Sequence, residues 1–566
     1  MGTRHMVSSG HYLASMAALE ILEAGGNAID AGACAGLALG VLESTYVSVA
    51  GVAPIAVRMA DTGRVTTISG LGTWPQAASC AYFQEHHGGQ IPKGVLRTIV
   101  PSAPDAWITA LELYGTMSFG DVAAAAIRFA REGYPVYPLM RSTIQAGIDD
   151  IRVWPSTAAL FLPDGQVPAV GELFRQERLG ETLTFMAAEE SAAAQRGGRT
   201  AGLEAARHSF YRGDIARAIV DYHDAHGGLL AMADMAGFRV EIEEATRGRF
   251  GDIDIYGCGA WCQGPMLLQE LAILDGVDFA SLGHNSTAYI HIVTEAIKLA
   301  AADREAYYGD PRFIDVPLME LVSAEYGRKR REMIRPDRAF PDMPAAGQPR
   351  YPAPKPPDAA DRASRGLQLD TSYVCVVDRH GNAISATPSD GATTAPIIPA
   401  LGFVASPRGF QSWTDPAHPS CVAPGKRPRL TPAPAIAVKE GEFVMPFGTP
   451  GHDTQTQVML QVFLNMFAFG MDPQVAVEAP RFASMSFPSS AMPHESQPGR
   501  LLVEDPSHGR THAALIDLGH KAERWPDDGP DYFLNASGAC LVKADLRSGV
   551  LTGAADPRRP TYAVGI

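Results

Sequence analysis

Thr371-Ser372-Tyr373-Val374-Cys375-Val376-Val377-Asp378 runs on into Arg379-His380-Gly381-Asn382-Ala383-Ile384-Ser385-Ala386-Thr387. The first run has the apolar, β-branched content of a strand. His380-Gly381-Asn382 reads as a tight turn, and Ala383 onward as a second strand. Upstream, from about Pro336 to Gly366, the chain is polar, irregular and rich in proline. A loose tether delivering a threonine to the head of a buried strand is unusual as plain architecture, although Thr also favours strands for packing alone. It acquires a purpose if the bond between Asp370 and Thr371 is cut. A Thr hydroxyl needs a base within hydrogen-bond reach. The freed α-amino group, with a pKa of roughly 7.7–8.0, titrates where general-base catalysis works best.

Working outward, Leu13, Met16, Ala17 and Ile21 recur at helical spacing. Gly25-Gly26-Asn27 stops that helix, and Asp30 is placed to cap the next. Ala31 to Leu42 is an apolar stretch too short to span a bilayer and reads as a buried helix. Strands pair around Asp61-Thr62-Gly63. Asp105 to Tyr307 is mainly helical, interrupted by a strand pair from Gly248 to Tyr256 and closing with a long amphipathic helix from Ser286 to Tyr308. Asp310 to Arg362 carries little regular structure. Strands return at Tyr373–Asp378, Asn382–Thr387, Ile436–Lys439 and Phe443–Phe447, before a helix from about Asp453 to Phe469. Strands grouped between two helical layers predict an α+β fold, an αββα sandwich.

The 566 residues are 46% hydrophobic, and the formal net charge of −15 argues against nucleic-acid and anionic-membrane partners. The chain enters its first helix without an apolar signal core, so a cytoplasmic enzyme is expected. Seven scattered cysteines fit free thiols in a reducing compartment. Cys258 and Cys262 have no second pair nearby, so no metal is expected. With no Gly-x-Ser-x-Gly elbow, phosphate loop or dinucleotide fingerprint, no cofactor is expected either. Gly448-Thr449-Pro450-Gly451-His452 precedes a helix, where outward-pointing backbone N–H groups can hold an oxyanion.

The run Thr371 to Asp378 resembles the self-cleavage motif of the γ-glutamyltranspeptidase superfamily of N-terminal nucleophile hydrolases. Further resemblances follow in order: Ala24-Gly25-Gly26-Asn27-Ala28-Ile29-Asp30-Ala31, Pro424-Gly425-Lys426-Arg427-Pro428, Gly448-Thr449-Pro450-Gly451, Glu478-Ala479-Pro480-Arg481 and Gly553-Ala554-Ala555-Asp556-Pro557-Arg558. The resemblance implies a four-layer sandwich cut into a large subunit, 1–370, with a proline-rich tail at about 336–366, and a small subunit, 371–566. The two would stay together as a heterodimer. It assigns Thr371 as nucleophile, Thr387 and Ser389 as hydroxyls that orient it, and Gly451 with His452 as the oxyanion pair. The family has two glycines at that last place.

On the substrate side this chain departs from the family. The arginine that holds a γ-glutamyl carboxylate falls at Leu71, which cannot make a bidentate bond to a carboxylate. The groups that grip the donor amine fall at Gly391 and about Gln411, with Asp390 adjoining. Paired serines become Arg429-Leu430, and the glycine-rich pocket loop reads Val49-Ala50-Gly51-Val52-Ala53. Arg429 is a candidate anchor for an anionic substrate or a partner for an internal carboxylate. His452 either meets substrate or points to solvent. The expected activity is hydrolysis of a small carboxamide or N-acyl compound, as in the oxamate amidohydrolases and cephalosporin acylases of the superfamily. The alternatives are a γ-glutamyl hydrolase or transferase with a rebuilt pocket, and an unprocessed, non-catalytic homologue.

Overall fold

The structure, a computed structural model, describes residues 1–350, 371–392, 394–504, 509–525 and 536–566. Asp370 and the 351–366 part of the tail lie outside the described residues.

Two antiparallel sheets stack at the centre. The first has seven strands in the order Tyr562–Gly565, Met6–Ser9, Val374–Val377, Ala383–Ala386, Ile55–Arg58, Val65–Ile68, Ile242–Glu244. The second has six, in the order Leu551–Ala555, Cys540–Asp545, Phe443–Gly448, Ala435–Lys439, Ile253–Gly257, Thr246–Phe250. Side chains alternate across a strand. Val374 and Val376 therefore face the helices, while Tyr373, Cys375 and Val377 meet Ile436, Val444 and Val542 of the second sheet. Both faces are covered, and the run around Val374 is accordingly apolar at every position.

The turn between the two central strands is built by Asp378. Its carboxylate accepts from the backbone N–H groups of His380 (2.8 Å) and Asn382 (3.1 Å) and from the Asn382 side chain (2.9 Å). It also accepts from Ala28 N–H at 3.0 Å, pinning the helix Ala28–Leu42 over the sheet. That helix is buried along its whole length. Gly32 permits the close approach, since a Cβ there would lie 2.7 Å from the Ile384 side chain. Its cap is Asn27 rather than Asp30 alone. The Asn27 side chain accepts from Ile29 and Asp30 N–H while the Asp30 carboxylate takes the Asn27 N–H, a capping box.

The other outer layer comprises Gly264–Leu274, Thr287–Tyr307 and Gln455–Phe467. The amphipathic reading of Thr287–Tyr307 fails: every residue from Val293 to Tyr307 is buried. Chain covers the polar face that solvent was expected to take. Phe340 N–H donates to Glu295 (2.6 Å), Lys298 to the Phe340 carbonyl (2.9 Å), Gly347 N–H to Asp303 (2.7 Å) and the Tyr307 hydroxyl to the Gly347 carbonyl (2.7 Å). The first part of the tail is thus docked on buried charges. Short helices at Leu318–Leu321 and Ala324–Arg331 also occupy the stretch expected to be irregular. Among the described residues no helix is long and apolar enough to cross a membrane.

Candidate active site

Thr371 stands at the head of the central strand, buried, bridged to Ser389 across the sheet. Its Oγ1 lies 3.1 Å from Ser389 Oγ. Arg408 donates to that same Ser389 oxygen and, through Nε, to Asp390 Oδ1 at 2.6 Å. Ser406 completes the set by donating to the other Asp390 oxygen. Asp390 is held at φ 94°, a conformation that disfavours any residue with a Cβ, at a break in register where Ser389–Asp390 pairs with Val47–Val52. Strain of roughly 1–3 kcal/mol persists only where the surroundings enforce it; here two buried donors do so. Val49 to Val52 is strand rather than a glycine-rich loop. Gly51 is required there because a Cβ would lie 2.2 Å from the Ser389 carbonyl oxygen. The Thr387 hydroxyl is buried beside this group without a hydrogen-bond partner among the described residues.

The proposed oxyanion loop comes to the same end of the sandwich. The backbone at Gly448 lies on the Tyr373 ring, two residues beyond Thr371, where a Cβ would approach to 2.3 Å. Gly451 has φ 119°, and a Cβ on it would sit 2.0 Å from Ser537 Oγ, so only glycine fits. His452 at φ 54° opens a short turn, His452–Thr454, ahead of the helix Gln455–Phe467. Its imidazole is buried, not turned to solvent. The Gln411 amide lies 3.3 Å from Nε2, and Asp453 Oδ2 lies 2.8 Å from Nδ1. Gln411 is further committed to Thr431, donating to its hydroxyl at 2.9 Å and accepting its N–H at 3.1 Å.

Asp453 leads deeper. Burial alone would raise its pKa, but the His452 ring and the Arg304 guanidinium, 2.7 Å away, hold it well below the ordinary range. Arg304 also bonds Glu305, and Glu305 takes a 2.7 Å bond from Arg429. Burial depresses the Arg429 guanidinium to about 10, partly offset by Glu305. The same arginine lies over the Trp413 ring at 4.5 Å. Of the two readings of Arg429, the internal carboxylate is the one it contacts. Leu71 and Leu430 share an apolar cluster with Trp74 and Trp261. Gly391 is packed so closely that a Cβ would lie 1.9 Å from the Thr45 carbonyl oxygen.

The sequence reading missed Arg408, Ser406, Asp453, Arg304 and Glu305. One signal was available for Arg408: a lone arginine between Phe403-Val404-Ala405 and Phe410. Arg304 and Glu305 looked like the solvated face of a helix and gave no signal. His291, Glu295 and His520 are the described residues grouped closely enough to hold a metal. The two rings meet at 2.9 Å, His291 Nε2 donates to the Arg335 carbonyl, and Glu295 pairs with Lys298 at 2.8 Å, while His520 Nδ1 has no hydrogen-bond partner among the described residues.

Comparison with known proteins agrees with this geometry. Residues 14–566 match the family model for gamma-glutamyltranspeptidase. An acylase ACY 1 proenzyme from Pseudomonas sp. (strain SE83) is 32% identical, over 98% of this chain and 92% of that protein. A glutathione hydrolase-like YwrD proenzyme from Bacillus subtilis (strain 168) is 30% identical, over 100% of this chain and 99% of its own length. The crystal structure of cephalosporin acylase from Bacillus halodurans superposes with a TM-score of 0.84 at 28% identity, covering 100% of this chain and 96% of that one. With the stacked sheets and the family match along nearly its whole length, the chain belongs to the gamma-glutamyltranspeptidase family and is an N-terminal nucleophile hydrolase acting on amide bonds.

Proposed function

We propose that the chain cuts itself between Asp370 and Thr371 and that Thr371 then hydrolyses a small carboxamide or N-acyl substrate through an acyl-threonine ester. The observation that carries this reading is the hydrogen-bonded series from Thr371 through Ser389 and Arg408 to Asp390. Arg408 can only donate. With the Arg408 N–H on Ser389 Oγ, the Ser389 O–H would donate to Thr371 Oγ1 and steady that oxygen as its proton passes to the new α-amine. The Thr387 hydroxyl, without a hydrogen-bond partner among the described residues, would orient that amine. Backbone N–H groups of the Gly448–His452 loop would receive the oxyanion. Water then releases the acyl group, with the amine acting as base a second time.

The substrate reading rests on what stands where a γ-glutamyl donor would be gripped. Leu71 lies in an apolar cluster, Gly391 has no room for a side chain, and Gln411 is spent on Thr431 and His452. Likeness to an acylase at 32% identity favours the same reading. The processed halves would form a heterodimer. Seven free cysteines support a cytoplasmic setting.

The test is the denatured intact mass of the wild type beside Thr371→Ala, followed by an amide screen. Two fragments meeting at Asp370/Thr371, absent from the variant, are expected. A single full-length mass that persists through long incubation, with no amide hydrolysed, would establish a silent homologue. Brisk release of glutamate from a γ-glutamyl anilide would overturn the substrate reading and leave the nucleophile standing.

A further inference from the structure

Cys258 with Cys262, and Cys80 with Cys421, are neighbouring thiols that differ in kind. Cys258 and Cys262 are both fully enclosed beside Trp261, and burial pushes the Cys258 thiol well above its ordinary range. Such thiols are inert. Cys80 and Cys421 are placed otherwise. Cys80 opens the helix Cys80–His87, capped by Ser79. Its sulfur reaches the loop that follows Trp413, lying 3.2 Å from the Val422 carbonyl oxygen and 3.8 Å from that of Trp413. Trp413 and Cys421 are bridged along this loop and Val422 follows Cys421 directly, so the Cys80 sulfur is placed beside Cys421. Cys421 is partly exposed to solvent, and the Lys426 ammonium lies 3.5 Å from its sulfur. The neighbouring Cys80 thiol and the lysine outweigh burial and lower the Cys421 thiol to about 6.

A low-pKa, accessible thiol beside a resolving thiol is the arrangement of redox-responsive cysteines. We propose that Cys80 and Cys421 are a peroxide-responsive pair that closes into a reversible disulfide. The Cys421 thiolate attacks one oxygen of a hydroperoxide, forming a sulfenic acid; the departing oxygen leaves as water or an alcohol after taking up a proton. The Cys80 sulfur then attacks the Cys421 sulfur, its proton leaving with the displaced hydroxyl as a second product, water. The two thiols give up two electrons in all, and the peroxide receives both. A dithiol reductant reverses the bond. Cys80 precedes Thr371 and Cys421 follows it, so after processing this disulfide would tie the two subunits covalently.

The test uses the full-length reduced protein, desalted and treated with stoichiometric hydrogen peroxide. Free thiols are then alkylated and the digest mapped by mass spectrometry. A joined Cys80–Cys421 peptide pair that vanishes on adding dithiothreitol is expected. If the chain is cut, the fragments will also co-migrate on a non-reducing gel. Cys421→Ser should abolish the link and leave Cys80 fully alkylated. Cys80→Ser should leave a sulfenic acid on Cys421 that dimedone traps. The peptide map reads the bond whether or not the chain is processed. The proposal is overturned if Cys421 of the wild type stays alkylatable after peroxide, or oxidises without joining Cys80. Because the wild-type map alone is decisive, a variant that misfolds does not rescue the idea.

Discussion

Ser389 shares its oxygen between Thr371 and Arg408, and this single residue makes the arginine part of the surroundings of Thr371. Arg408 and Asp390 are both fully buried, so removing one takes away the other's opposite charge. Losing a partner of that kind costs about 3–5 kcal/mol. Arg408→Ala should therefore lower stability by that amount in urea titration. Arg408→Lys keeps the charge but not the two-pronged contact. It should fold, with kcat down about tenfold and KM little changed; wild-type turnover in this variant would refute the positioning role. Arg429 serves a different purpose. Its bond to Glu305 and its place over Trp413 make it structural. Arg429→Leu should cost about 3 kcal/mol and shift KM equally for anionic and neutral amides. A selective loss for anionic substrates would restore the anchor reading.

At the level of elements, the loop from Gly448 to His452 depends on one backbone conformation. Gly451 has φ 119° and no space for a methyl group beside Ser537. Gly451→Ala should cost roughly 1–3 kcal/mol in thermal or chemical unfolding. It should also lower kcat by about 100-fold, the scale of a lost oxyanion donor. A variant with full kcat would move the oxyanion site off this loop. The helix Thr287–Tyr307 shows why the sequence misled. Its charges have the spacing of a solvated face, yet the segment from 335 to 347 lies across them, and Arg304 and Glu305 turn inward toward Asp453 and Arg429. Spacing records that a helix has a polar face, and it does not record what covers that face.

In the whole molecule, the seven-stranded sheet interleaves strands from before and after Thr371. The pieces of a cut chain could separate only by breaking the central sheet. Burial also sets the pH response. His11 and His520 are held near 3, and His223, His418 and His494 near 4, in each case chiefly by desolvation. In the unfolded chain these rings titrate near 6.5, so the unfolded state takes up protons first as pH falls. Their contribution is complete above about pH 7 and is lost toward pH 4, at roughly 1.4 kcal/mol per pH unit for each ring. Glu305, desolvated yet held near 2 by Arg429 and Arg304, loses its contribution only below about pH 4.5. These groups should make the melting temperature fall steadily from pH 6.5 to 4. Equal melting temperatures at pH 7.5 and 5 would contradict this.

The sequence by itself determined the layers, the central strand pair and the place of Thr371, because apolar runs, turn residues and the Asp378 motif act over a few positions. It also told that Leu71 could not grip a carboxylate, because that follows from residue type alone. Only the tertiary structure decided that Arg408 and Asp390 hold Ser389, that Arg429 meets Glu305, and that His452 is enclosed by Gln411 and Asp453. Arg408 and Asp390 lie 18 positions apart, Arg429 and Glu305 124, and His452 and Gln411 41. A charged or polar side chain looks the same in sequence whether water or a distant residue satisfies it, and folding makes that choice.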